Sequence, residues 1–177
     1  MNIDTLILSG GGTKGITFIG ALQYLDEINI LHTFKRYIGS SIGSLIGTLC
    51  YLEYKPSEIF ELVNKLDLNI LTDIDLDTVL DFTNKFGIDK GHKYARFIKV
   101  LLKKKTFNEN ITFKELYNLY NKELIITGTC LNTSDTEYFS HINTPDMKIF
   151  EAIQISTCFP LYFNRYIYNN KTYVDGA

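Results

Sequence analysis

With 177 residues, of which 45% are hydrophobic and 14% aromatic, the chain has enough apolar mass for one substantial core and too little length for two. Its formal net charge of -2 supplies no global basic field, which excludes nucleic-acid binding driven by composition. Three cysteines, Cys50, Cys130 and Cys158, form an odd set without a CxxC pair, which argues against a disulfide framework or a zinc site and for a reducing compartment.

The N-terminus has no basic segment followed by a long apolar run, and Leu6-Ile7-Leu8 is too short for a signal core or a membrane span. A soluble start in the cytoplasm is the default expectation. Thr5 to Leu8 reads as a short buried strand, and Ile16, Ile19, Leu22, Leu25 and Ile28 follow at helical spacing. The intervening Ser9-Gly10-Gly11-Gly12-Thr13-Lys14-Gly15 is then a turn from strand to helix. Arg36 to Gly39 reads as a second strand, followed by an apolar helix from about Ser44 to Leu52, and Pro56 suits the first position of a helix reaching Leu66. Gly12 and Ser41 stand about one βαβ unit, roughly 30 residues, apart. Both turns are therefore expected at the carboxyl edge of a parallel sheet.

The stretch from Asp67 to Lys105 is poorly patterned until Tyr94, Phe97, Ile98, Leu101 and Leu102 mark an amphipathic helix ending in Lys103, Lys104 and Lys105. That lysine run reads as a solvated helix end rather than a lipid-binding cluster. Thr112 with Glu115 forms a capping box, with Ile111 stapled onto Leu116, for a helix over Phe113 to Tyr120. A strand ELIITGTCL follows, then a strand TEYFS, a helix over PDMKIFEAIQIS, and a hairpin YIY-NN-KTYVD turning at Asn169 and Asn170.

Gly10, Gly12 and Gly15 satisfy GxGxxG, but the second strand ends in Tyr37-Ile38-Gly39-Ser40-Ser41 without the carboxylate a dinucleotide ribose requires. The P-loop pattern fails as well, because Ile16 stands where Ser or Thr should follow a Gly-Lys pair. Gly39-Ser40-Ser41-Ile42-Gly43 fits G-x-S-x-G, in which a sharp strand-to-helix turn presents a serine outward, here Ser41, between glycines that avoid clashes. The amides of Gly11, Gly12 and Thr13 can face the same crevice and receive an oxyanion. Lys14 is either an added charge there or a solvated lysine. For the base that a nucleophilic serine needs, His32, His92 and His141 all read as surface or loop residues, and Asp175, in Tyr173-Val174-Asp175-Gly176-Ala177, follows an apolar strand in what is usually a plain turn. Asp73, Asp75 and Asp77 lack the turn glycine and closing Glu of a calcium loop, Thr78 and Asn84 standing in those places. No metal or cofactor is expected.

Together, GGGTKG, GSSIG and DGA, in that order, resemble the patatin-like phospholipase family, as does Ser156-Thr157-Cys158-Phe159-Pro160 before the last strand. The resemblance covers residues 5 to 177 and implies one α/β domain with a mainly parallel central sheet flanked by helices. It implies Ser41 as nucleophile, Asp175 as its proton acceptor in a dyad without histidine, and Gly10, Gly11, Gly12 and Thr13 as oxyanion hole, supported by Lys14, Gly15, Gly39 and Gly43. The implied reaction is hydrolysis of an acyl lipid through an acyl-enzyme, with transient peripheral contact at a membrane and no nucleic acid. Phe82, Phe86, Tyr94 and Phe97 read as core packing, with an acyl-channel wall as the alternative. The family's catalytic domain normally continues beyond the aspartate, so Asp175 is expected to be poorly held, in a truncated or compact member. The competing readings are an inactive lipid- or partner-binding module on the same fold, and a nucleotide-binding α/β protein.

Overall fold

β1 (Thr5–Leu8) pairs in parallel with β2 (Arg36–Gly39), as the short apolar runs and the intervening helix require. The computed structural model describes residues 3–65, 71–74 and 87–177. β2 in turn pairs in parallel with the first half of β3 (Glu123–Cys130), Gly39 standing opposite Ile126. β4 (Asp135–Phe139) returns antiparallel along β3 from Cys130 back to Ile126. β5 (Tyr166–Tyr168) and β6 (Lys171–Val174) form the expected hairpin, with Asn169 and Asn170 both at positive φ, as a two-residue turn with the strand twist demands. β6 then pairs antiparallel with Thr129 and Cys130 of β3.

These registers decide where the chain ends meet. At Ile126, β3 is paired to both β2 and β4, and at Cys130 to both β4 and β6. A strand has two sides, so β2 and β6 share one side of β3. β2 runs up that side and stops at Gly39, while β6 runs down it and stops at Val174. The residues that follow the two strand ends are therefore delivered to one point from opposite directions.

The helices cover the sheet. α1 (Ile16–Glu27) follows a one-turn 3-10 segment (Gly12–Gly15), α2 (Ile42–Tyr51) follows β2, and α3 (Pro56–Lys65) begins at Pro56 as expected. α2 is buried along nearly its whole length, so it reads as continuously small and apolar rather than amphipathic. α4 (His92–Thr106) carries Lys103, Lys104 and Lys105 in its last turn. α5 (Phe113–Tyr120) has the expected bounds and its capping box, Thr112 N–H donating to Glu115 Oε2 at 2.9 Å and Glu115 N–H to Thr112 Oγ1 at 3.3 Å. α6 (Ile149–Ser156) starts four residues later than the sequence suggests. The carbonyls of Pro145 and Met147 accept from the leading amides of α5, Lys114 and Phe113, and these bonds hold residues 145–147 in a turn and bend and Lys148 in an antiparallel bridge to Thr112.

α6 supplies the most buried face of the core, Ala152, Ile153 and Ile155 being fully enclosed against β3. Tyr37 of β2 and Tyr51 of α2 meet edge to face at 5.5 Å, with the Tyr51 hydroxyl donating to the Lys122 carbonyl. The three cysteines are buried and unpaired, as their spacing implied. Among the described residues no helix is long and apolar enough to cross a membrane.

Candidate active site

Ser41 occupies the turn between β2 and α2 with φ 51° and ψ -130°, a conformation that a non-glycine residue adopts only where its surroundings enforce it. Three bonds enforce it here. The Ser41 N–H donates to Ser156 Oγ at 2.9 Å, and the Ser41 carbonyl accepts from the Ser44 amide at 2.8 Å and the Ser44 hydroxyl at 2.6 Å. Gly43 lets α2 start directly against the end of β1: a Cβ there would run into the backbone carbonyls of Leu8 and Ser9. Gly43→Ala is expected to cost about 1–3 kcal/mol, because neither contact is a side chain that can rotate away. The midpoint of urea unfolding should fall with no change in its slope; an unchanged midpoint would contradict the close approach.

Asp175 follows β6 and meets Ser41 across the gap between the two strand ends. The Ser41 hydroxyl donates to Asp175 Oδ2 at 2.7 Å, and both residues are buried, 9% and 8% exposed. The expectation that Asp175 would be loosely held is overturned by its bonds. Its N–H donates to the Cys158 carbonyl at 2.9 Å, the Gly176 N–H to the Ser156 carbonyl at 3.2 Å, and the Ala177 N–H to Asp175 Oδ1 at 2.8 Å. Gly176 lies so close to Thr127 of β3 that no side chain fits there. Both Asp175 oxygens thus accept hydrogen bonds, while burial, the larger influence, pushes the carboxyl above its ordinary value of 3.8.

The glycine turn forms the wall beside this pair. Gly11, Gly12 and Thr13 line the same cleft as Ser41 and Asp175. Gly12 and Thr13 open the 3-10 turn leading into α1, where the first amides have no partner within the helix. Gly10 lies behind the pair, packed on the Cβ atoms of Ser41 and Ala177. Lys14 is exposed with its amide bonded to Gly11, and Gly15 is buried against Ile42. Gly39 packs under the backbone of Gly43 and Ser44.

The cleft has a volume of about 1070 Å³ and is walled mainly by apolar side chains of α2, α3 and α4, among them Leu45, Leu49, Ile59 and Leu62. Tyr94 and Phe97 pack against the core as expected and also line this cleft, so each takes both of the roles weighed for it. The Tyr94 ring stacks on Phe163 at 5.8 Å, and burial pushes its hydroxyl up to about 12, keeping it a neutral phenol near Asp175. Phe82 and Phe86 lie outside the described residues, as do Asp75, Asp77, Thr78 and Asn84. Asp73 pairs with His92 at 3.3 Å, and no group of side chains suited to a metal occurs among the described residues. His32 pairs with Asp26 and His141 stacks on Tyr117; no histidine is among the described cleft residues.

Ser156 is the site residue that sequence reasoning gave no role. It ends α6, is fully buried, and serves both halves of the pair through its hydroxyl and its carbonyl. The only signal for it was a hydroxyl residue at a helix end inside the STCFP segment.

A serine at a strained strand-to-helix turn, bonded to a carboxylate at the foot of an apolar cleft, matches the order of motifs in the sequence. The family model described as patatin-like phospholipase matches residues 6–177. The chain belongs to the patatin-like phospholipase family. Among its relatives within reach, it is 35% identical over 176 residues to a protein named probable lipid hydrolase 463L from Invertebrate iridescent virus 6, covering 98% of this chain and 59% of that one. It is 28% identical over 170 residues to triacylglycerol lipase ptl3 of Schizosaccharomyces pombe, covering 90% of this chain and 33% of the lipase. The crystal structure of VipD from Legionella pneumophila superposes with a TM-score of 0.74 at 18% identity, over 99% of this chain and 46% of VipD, which shows the shared patatin-like α/β fold. The chain thus spans a little over half the length of three curated relatives that it matches along nearly its whole length.

Proposed function

We propose that this patatin-like chain hydrolyses acyl esters of lipids, with Ser41 as nucleophile and Asp175 as its base. The observation that carries the reading is the 2.7 Å bond from the Ser41 hydroxyl to Asp175 Oδ2 at the foot of the apolar cleft. The ester carbonyl sits over Ser41, its acyl chain in the cleft. Asp175 takes the hydroxyl proton as Ser41 Oγ attacks, and the oxyanion that forms is received by amides of Gly11, Gly12 and Thr13. Collapse expels the alcohol, which takes the proton back, and leaves an acyl-Ser41. Water, deprotonated by Asp175, then attacks the acyl carbonyl, and collapse releases the fatty acid as the proton passes from Asp175 to Ser41 Oγ, restoring the starting pair. A carboxylate is a weak base toward a hydroxyl in water; burial that raises its pKa, with the bond already formed, makes transfer easier. The names of the relatives, a probable lipid hydrolase and a triacylglycerol lipase, support a lipid ester as substrate, met at a membrane or lipid surface.

A fluorophosphonate probe tests the reading directly. One adduct is expected, on the peptide containing Ser41, and prior occupation by a long-chain ester should slow its formation. Absence of labelling, or labelling at another serine, would favour an inactive binding module on the same fold.

A further inference from the structure

We propose that the outer face of α4 is a docking surface for an anionic lipid bilayer. The helix carries a third of the chain's eighteen lysines and arginines and none of its twenty acids. Lys93, Arg96, Lys103 and Lys104 are exposed and recur at three- and seven-residue steps, which gathers them on one side of the helix, away from the buried Ile98, Leu101 and Leu102, whereas half-buried Lys99 holds its ammonium 4.1 Å from the centre of the Phe150 ring. Lys105 belongs to the other side, where its ammonium donates to the Glu53 carbonyl and lies 3.9 Å from Glu58. Among the described residues Glu109 lies 3.6 Å from Lys103 and Asp73 3.3 Å from His92 at the start of the helix, surface pairings that do little to cancel the charge.

Charge alone would describe an ordinary solvated helix. Two apolar side chains on the same side change that reading: Val100 is 59% exposed and Phe107 90% exposed. Phe107 caps the helix at φ 60°, a position that glycine or asparagine usually fills, and so holds an aromatic ring out in solvent beside the lysines. Four exposed cations with an exposed aromatic and a β-branched residue on one helix face have the composition of an interfacial helix, and the number falls within that of clusters recognising anionic headgroups. A nucleic-acid backbone would use the cations and leave Val100 without a partner. The rest of the chain is net acidic, so attraction to an anionic surface is concentrated at α4 and orients the molecule with this helix foremost. α4 also contributes Tyr94 and Phe97 to the cleft, which docking would bring to within about one helix diameter, ~10–12 Å, of the headgroups. The inference rests on the hydrolase reading for its purpose and not for its test.

Cosedimentation with vesicles tests it, using the Ser41→Ala chain so that no lipid is consumed. Binding to vesicles of 30% phosphatidylserine in phosphatidylcholine is expected in 0.1 M salt, with loss in 0.5 M salt. The triple substitution Arg96→Gln, Lys103→Gln, Lys104→Gln should weaken it about 100-fold, and Phe107→Ala about 10-fold, with unchanged far-ultraviolet circular dichroism. Should the triple variant misfold, the salt series and Phe107→Ala decide alone. Equal binding to pure phosphatidylcholine, insensitivity to both sets of substitutions, or binding to duplex DNA in preference to vesicles would overturn the proposal. Combined with Ser41 intact, the triple substitution should leave turnover of a short, water-soluble ester unchanged. If no form turns over that ester while vesicle binding behaves as expected, the hydrolase reading fails and the docking surface stands.

Discussion

Ser41→Ala is expected to lower turnover of a p-nitrophenyl acyl ester by about 10⁴-fold or more, since loss of a nucleophile removes the covalent route and leaves only binding and oxyanion stabilisation. The effect should fall on kcat with KM little changed, because the cleft that holds the acyl chain is built by α2, α3 and α4 and does not depend on the hydroxyl. Alanine must still adopt φ 51° at the turn, but the bonds that hold this backbone, from its N–H to Ser156 and to its carbonyl from Ser44, survive the substitution. The variant is therefore expected to fold, and its melting temperature is the control. Turnover within about tenfold of the parent would refute the role given to Ser41.

Asp175→Asn is expected to reduce kcat by about 10³–10⁴-fold, because an amide bonds to the Ser41 hydroxyl and cannot accept its proton. In the parent, turnover should rise with pH through the ionisation of Asp175, a step lying above the ordinary value of 3.8 because burial disfavours the charge. The same shift predicts the opposite trend in stability. A carboxyl whose pKa is raised by folding binds its proton more tightly in the native state. Its contribution to stability is therefore full below the unfolded value and is lost as pH rises through the raised native value. At pH 7 the buried charge is a cost, and asparagine removes it. The variant should gain in melting temperature relative to the parent as pH rises through the raised native value, and the gain should vanish at acid pH, where the parent's carboxyl is protonated in both states. An inactive variant that is also less stable at pH 7 would mean that Asp175 holds the fold rather than carrying out chemistry.

Much of this architecture was legible in local chemistry. The two-residue turn at Asn169 and Asn170 follows from residues that tolerate positive φ, and the start of α5 follows from Thr112 and Glu115, which saturate each other's amides. The bounds of β1 and β2 follow from short apolar runs ended by glycine. The start of α6 was illegible because residues 145–148 are held in a turn and a bridge by the start of α5, a partner remote in sequence. That Tyr94 and Phe97 face the cleft as well as the core was illegible for a related reason. Helical periodicity reports that a face is covered, and a cleft wall and a core wall have the same period.

The elbow around Ser41 and the glycine turn that faces it were determined by the sequence itself, because glycine spacing constrains backbone dihedrals and close approach within a few residues. The family followed from the order of those motifs. What only the tertiary structure decided is that Asp175 reaches Ser41 and is held there. That depends on β2 and β6 taking the same side of β3 and running toward each other, with Ser156 and Cys158 binding the turn at the meeting point. Strand register is a contest among pairings far apart in the chain, and no local pattern encodes its outcome. An Asp-Gly after an apolar strand is an ordinary turn until the sheet brings a serine to within 2.7 Å of it.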